Sequence, residues 1–417
     1  MSARHVVTLL AGLALALPAG AAELGADLNS LLAYAHAHNP DLRARGLQAE
    51  AAHAGVASAS ALPDPDFQVE LMDFTNAGSG GPTTLAPGAV GTTKYQIVQP
   101  LPFYGKRDLR GRVAASGAAR SDAVRDVTRL DLDSRIKTAY ARYYQAAGQA
   151  RILTETKSLY DALEQVVFTR YGVGLVPQQD AIQVQSEITA TRVDLIDAER
   201  KRRDAVAALN ALLAREPDAP LAEPEGLPQP AARPTLAALR TAALDRSPEL
   251  ARDRDAVDAA RSSRDLALRD RYPDFALGLR DTRPKGGIQT WDVIVQMTIP
   301  LQQSARRSRE AEAAYKLEAA QADQDATRAR ILGQLGQALA AYQGSHDKAE
   351  LLRGSLLPQA RATLKAAQSG YETGQVDFTT LIQAERQILR TRLDLLDAEV
   401  DAAVRQAELE QLTGTTL

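Results

Sequence analysis

"TRVDLIDAE" at residues 191–199 and "TRLDLLDAE" at residues 391–399 differ only by two aliphatic exchanges and lie 200 residues apart. At that offset Tyr171 falls on Tyr371, Gly174 on Gly374, Val176 on Val376, Ile182 on Ile382 and Ile188 on Ile388. Residues 171–199 share 13 identities in 29 positions with their counterparts, more than shared helical composition supplies. Further upstream the offset becomes 208: Pro40-Asp41-Leu42 matches Pro248-Glu249-Leu250, and Pro65-Asp66-Phe67 matches Pro273-Asp274-Phe275. A change of offset is a loop-length difference between two copies of one unit. The chain is an internal duplication.

The copies span residues 22–214 and 235–417, joined by residues 215–234, a linker with six prolines in twenty positions that cannot be helical. Each copy has the same predicted order. A helix (28–61, then 235–270) precedes two short alternating segments (65–74 and 93–102; 273–281 and 291–300) around a loop rich in Gly or Pro. A long helical hairpin follows, over 106–213 and 303–413. Its helices are almost free of proline; Pro358 is the exception and predicts a kink. A helix of about 65 residues would be roughly 100 Å long, more than a globular core needs.

Composition narrows the function. The formal charge of −3 argues against nucleic acid, and with no cysteine there are no disulfides, thiolate metal sites, cysteine nucleophiles or lipidated N-terminal cysteine. Residues 1–21 read as a signal peptide: Arg4, the apolar run 6–17 and the small residues Ala19-Gly20-Ala21. The mature chain then starts near Ala22, exported and not lipidated. No other long apolar segment follows, so any membrane crossing must use strands.

The alternating segments suit that task. Phe67, Val69 and Leu71 oppose Gln68, Glu70 and Met72; Tyr95 and Ile97 oppose Lys94 and Gln96. Phe275, Leu277 and Leu279 oppose Ala276, Gly278 and Arg280, and Trp291, Val293, Val295 and Met297 oppose Asp292, Ile294, Gln296 and Thr298. Segments of about ten residues with this period fit transmembrane barrel strands. A half-buried soluble sheet shows the same alternation, but aromatic placement favours the barrel. Residues 65–104 and 271–301 hold eight of the nineteen aromatics, most near segment ends where an interfacial girdle sits. Four strands cannot close a barrel, and open edges are forbidden in lipid, so several chains must share it; three would supply twelve strands.

This layout resembles the outer-membrane efflux protein family, the TolC-like tunnels. The marks are the duplicated helix–strand–strand–helix unit, "AYARYY" at 139–144, the turn "YGVGLVP" at 171–177 and its echo "YETGQVDF" at 371–378. "QPLPFYGKRDLR" at 99–110 resembles the CzcC-type heavy-metal branch. The resemblance implies a mainly α fold with a small β portion: a homotrimeric, 12-stranded barrel in outer-membrane lipid, continued by a helical periplasmic tunnel. The partners it implies are a periplasmic adaptor and an RND-type inner-membrane pump. The cargo it implies is heavy-metal cations such as cobalt, zinc or cadmium. It places Val173, Gly174, Leu175, Thr373, Gly374 and Gln375 at hairpin tips that dock the adaptor. Tyr371 matches a gate tyrosine. Val376 stands where drug-exporting relatives carry a linking arginine, and Thr380 and Gln383 at their acidic-ring positions, so Asp180 or Asp377 is expected to supply the negative ring. Two other readings remain open at this point: a duct for multidrug efflux or type I protein secretion, and a periplasmic coiled-coil adaptor or scaffold.

No catalytic, cofactor or metal site is expected. His36 and His38 fall on different helix faces. The carboxylates Asp194, Asp197 and Glu199, with Asp394, Asp397 and Glu399, have no nucleophile beside them. Leu195 and Leu395, bordered by Arg192 and Arg392, read as a helix–helix seam.

Overall fold

The computed structural model describes residues 24–78, 80–228 and 233–417. The expected signal peptide and residues 229–232 of the linker lie outside the described residues. Each copy opens with two helices: α1 (Leu28–His38) and α2 (Pro40–Ser60), then α5 (Leu236–Arg246) and α6 (Pro248–Arg269). Single helices were expected over 28–61 and 235–270. The break falls where the repeated Pro-Asp/Glu-Leu motif begins, because proline has no N–H to donate and suits the first helical turn. Asn39 caps α2, its side chain accepting from the Asp41 and Leu42 N–H groups.

Strands β1 (Asp66–Met72), β2 (Thr92–Leu101), β3 (Phe275–Pro284) and β4 (Thr290–Met297) form one antiparallel sheet in the order β1-β2-β3-β4. The two copies meet at the β2–β3 pair, Ile97 opposite Leu279 and Gln96 opposite Arg280.

The hairpins are α3 (Lys106–Gly172) with α4 (Gln178–Leu212), and α7 (Gln303–Leu351) and α8 (Leu357–Glu372) with α9 (Phe378–Thr413). A π-helical turn, Leu352–Leu356, separates α7 from α8 just before Pro358, where a kink was expected. Its wider turn accommodates the donor that proline lacks. It also shifts the repeat. Buried Leu132, Ile136, Tyr143, Ala150 and Leu153 correspond to buried Ile331, Leu335, Tyr342, Ala349 and Leu352 at an offset of 199, whereas Val167 and Tyr171 correspond to Ala367 and Tyr371 at 200.

The chain divides into two compact units. One comprises the described residues up to Ala37, Ile136–Pro228 and Lys348–Val400. Its largest core gathers Tyr160, Val167, Val184, Ile188, Leu381 and Ile382 from α3, α4 and α9; burying each such side chain contributes about 1.5–3 kcal/mol. Here "AYARYY" holds the linker. Tyr140 Oη donates to Ala26 O and Gly226 O, Tyr143 Oη donates to Ala222 O, and Ala222 N donates to Leu24 O. Burial pushes the Tyr140 phenol up to about 12, so it stays a donor. The other unit, His38–Arg135, Gln229–Asp347 and Asp401–Leu417, holds the sheet and a core around Leu239, Leu335, Leu339 and Leu409.

Candidate functional site

The sheet has two chemically distinct faces. Cross-strand register puts Phe67, Ile97, Leu279 and Val293 in one rung and Gln68, Gln96, Arg280 and Asp292 in the next, on the opposite side. The apolar side is bare: Val293 is 77 % and Phe67 67 % exposed. On the polar side Arg280 donates twice to Gln96 Oε1, at 2.8 and 3.0 Å, and Lys94 pairs with Glu70 at 3.4 Å. Two charged side chains fall on the apolar side near the loop end, Asp281 and Arg283; they pair with each other at 2.7 Å, and Gln289 Nε2 also donates to Asp281 at 2.7 Å. β1 and β4 are open edges. Among the described residues no helix is long and apolar enough to cross a membrane.

At the foot of the sheet, Lys106 is nearly buried. Its Nζ donates to Asp274 Oδ1 at 2.9 Å and Tyr272 O at 3.1 Å, and lies 3.5 Å from Asp270. Burial alone would raise the Asp274 carboxyl; hydrogen bonds from Phe103 N–H and Lys106 outweigh it and hold the group below its ordinary value. "GKRDLR" thus clamps the start of α3 to the entry of β3.

The hairpin tips end alike. Gly174 (φ +76°) and Gly374 (φ +73°) adopt the left-handed conformation. Gly174 N donates to Tyr171 O and Leu175 N to Arg170 O; Gly374 N donates to Tyr371 O and Gln375 N to Gly370 O. These are paired Schellman caps, in which a side chain at the glycine would be strained. The tips differ in what they show. Val173 and Leu175 are 68 % and 74 % exposed, whereas Thr373 and Gln375 present polar groups.

Tyr371 is buried against Phe378, and its hydroxyl has no hydrogen-bond partner among the described residues. Its link to the other hairpin is Arg170, which sequence reading missed. The Arg170 guanidinium lies over the Tyr371 ring, 5.0 Å from its centroid, and donates to Tyr371 O at 3.0 Å and Glu372 O at 3.1 Å. The available signal was the repeat itself, since Arg170 aligns with Gly370. Val376, at the linking-arginine position, packs into the core instead.

Asp180 and Asp377 share one electrostatic neighbourhood. Burial, then the Asp377 charge, push the Asp180 carboxyl up. Asp377 lies below its ordinary value because the Thr380 hydroxyl and N–H both donate to Oδ1, at 2.6 and 2.8 Å. It therefore caps α9 while remaining exposed. His36 and His38 are exposed on α1. No group of three metal-ligating side chains occurs among the described residues.

The repeated nonapeptides occupy matching rungs. Leu195 packs with Ala150, Leu153 and Ala198; Leu395 packs with Ala349, Leu352 and Ala398. The second copy also reaches the other hairpin. Leu396 lies over Gly148, where an added Cβ would come within 2.9 Å, and Asp397 accepts from Gln145 at 2.7 Å. Its counterpart in the first copy, Ile196, is 68 % exposed.

A two-faced sheet on paired helical hairpins defines a class, and the comparisons agree. Residues 31–215 and 239–415 each match the outer membrane efflux protein family, so the chain belongs to that family and carries its domain twice. It is a transport duct rather than an enzyme. It is 22 % identical over 374 residues to the cobalt-zinc-cadmium resistance protein CzcC of Cupriavidus metallidurans, covering 88 % of this chain and 85 % of that one. Its fold matches CusC, described for its transmembrane channel formation, with TM-score 0.77, 20 % identity and 96 % coverage of both chains. It also matches the outer membrane protein VceC of Vibrio cholerae, with TM-score 0.77, 18 % identity, and coverage of 93 % of this chain and 96 % of that one.

Proposed function

We infer that this protein is the outer-membrane exit duct of a tripartite efflux assembly. Three copies pool their sheets into a 12-stranded barrel, and the hairpins form a periplasmic tunnel. Heavy-metal cations such as cobalt, zinc or cadmium enter from a periplasmic adaptor fed by an RND-type inner-membrane pump. Residues 1–21 direct export and are removed. The tips docking the adaptor are Val173-Gly174-Leu175 and Thr373-Gly374-Gln375, with the apolar first tip contributing more area. Tyr371, Asp180 and Asp377 belong to the periplasmic gate.

The observation that carries this reading is the sheet: one bare apolar face, one polar face and two unpaired edges. In lipid each unsatisfied backbone group costs several kcal/mol, so edges must find strands on other copies. The helices support the same conclusion. Leu396 is seated on the neighbouring hairpin of its own chain, whereas pseudo-equivalent Ile196 is left exposed among the described residues. A second copy completes that pattern. The cargo assignment rests on the similarity to CzcC.

Trp291, the chain's one tryptophan, stands 62 % exposed on the apolar face and makes a direct test. In bilayers containing brominated acyl chains its fluorescence is expected to be quenched, with a trimeric mass in detergent. An unquenched tryptophan on a monomer would overturn the barrel. Cargo is tested by coexpressing the protein with a cobalt-zinc-cadmium pump and adaptor that lack their own duct. Restored metal resistance supports the assignment, and resistance restored only toward organic compounds opposes it.

A further inference from the structure

One carboxyl in the hairpin core has no charged partner. Glu385 on α9 is 1 % exposed and forms no ion pair among the described residues. Its hydrogen bond comes from Gln368 of α8, whose Nε2 donates to Oε1 at 3.2 Å. From α3 it faces Tyr160, a phenol raised by burial and then by the nearby charges of Glu187 and Glu385, whose hydroxyl has no partner among the described residues. From α4 comes Glu187, also buried, but already paired with Arg386. Arg386 follows Glu385 on α9 and turns outward, its side chain 61 % exposed. The nearby cation is therefore engaged by the other carboxylate. At the equivalent place in the first hairpin stands Gln185, which is exposed.

An unpaired carboxylate in such a core is costly, whereas a protonated carboxyl packs much like a glutamine. We propose that Glu385 is a proton-operated restraint: protonated, it packs among α3, α4, α8 and α9 and holds the second hairpin on the first; ionised, it favours a looser arrangement of the two. Burial pushes this carboxyl up to about 7, against the opposing Gln368 hydrogen bond. The stabilisation of the packed state is complete below the unfolded value near 4.5 and is lost as pH rises through about 7. Over pH 6 to 8 the opening equilibrium should increase roughly ten-fold. The group is buried within one chain, so the restraint holds whatever the adaptor or cargo.

The test is hydrogen–deuterium exchange of the full chain in detergent at pH 6, 7 and 8, corrected for the intrinsic pH dependence of exchange. Peptides from α8 and α9 are followed in the wild type, Glu385→Gln and Glu385→Met. Wild-type protection around residue 385 should fall roughly ten-fold across this range and stay level in both variants, with other peptides unaffected. Gln368→Leu removes the bond that favours the charged form, so its transition should move to higher pH. Equal pH dependence in wild type and in whichever Glu385 variant folds overturns the proposal, as does a flat wild-type profile. Either result leaves the barrel test with Trp291 untouched.

Discussion

Arg170→Ala removes a polar side chain that ties the end of α3 to the tip of the second hairpin. Two charge-assisted hydrogen bonds to backbone carbonyls vanish, at 3.0 and 3.1 Å, together with the stacking on Tyr371. At a half-exposed position each such bond contributes about 1 kcal/mol and the cation–π contact about 0.5–1 kcal/mol. Ordering the long arginine side chain offsets about 1 kcal/mol. The net loss is about 1.5–2 kcal/mol, a ten- to thirty-fold shift in the equilibrium between linked and separated tips. Single-channel recording in planar bilayers reads it as longer or more frequent open dwells. Arg170→Lys keeps the charge without the planar fork and should give an intermediate shift. Tyr371→Phe removes a hydroxyl with no hydrogen-bond partner among the described residues and should leave gating nearly unchanged. If Arg170→Ala gates like wild type while Tyr371→Phe opens the channel, the arginine latch is wrong and the phenol carries the link.

Lys106→Met strips the clamp from Asp270 and Asp274, whose side chains are 43 % and 41 % exposed and regain water. The cost should therefore stay near 1–3 kcal/mol, read as a lower urea midpoint by Trp291 fluorescence. Gly174→Val puts a β-branched residue at φ +76° and should strain the first tip by about 1–2 kcal/mol, weakening adaptor capture without altering conductance. Ile196→Asp should lower the trimer fraction in detergent; an unchanged mass would remove that face from the interface. Asp180→Asn should reduce cation-over-anion permeability. Because burial and then Asp377 raise the Asp180 carboxyl, its charge is lost as pH falls toward that raised value, so wild-type selectivity should approach the variant's in acid sooner than an ordinary aspartate would allow.

The duplication and the alternation of the strands were legible because both are patterns in residue identity. Phe67, Ile97, Leu279 and Val293 declare their face without coordinates, and the glycines at 174 and 374 mark turns wherever two long helices meet. The helix breaks at Pro40 and Pro248 were also written in the sequence, yet a proline starting a helix and one continuing a bend look alike there. Arg170 was hidden for another reason. Its partners are two main-chain carbonyls, and no residue type announces a carbonyl. Glu385 was hidden because helical spacing does not say which of the three facing helices supplies its neighbours, nor that Arg386 is engaged by Glu187. The repeated nonapeptides were readable as a seam; that one copy grips its neighbour while the other is bare depends on packing.

The π-helical turn before Pro358 carries a lesson about the two copies. One extra residue in a regular helix would rotate everything beyond it by about 100°, turning the second tip's buried face to solvent. The wide turn absorbs that residue, so Ala367 still faces inward like Val167, and Tyr371 is buried although its counterpart Tyr171 is 42 % exposed. Insertion and proline therefore behave as a single edit. Deleting one residue from 352–356 strands the proline in an ordinary helix, and replacing the proline alone leaves a residue without a place. Only the two changes together should return the second hairpin to the plain geometry of the first.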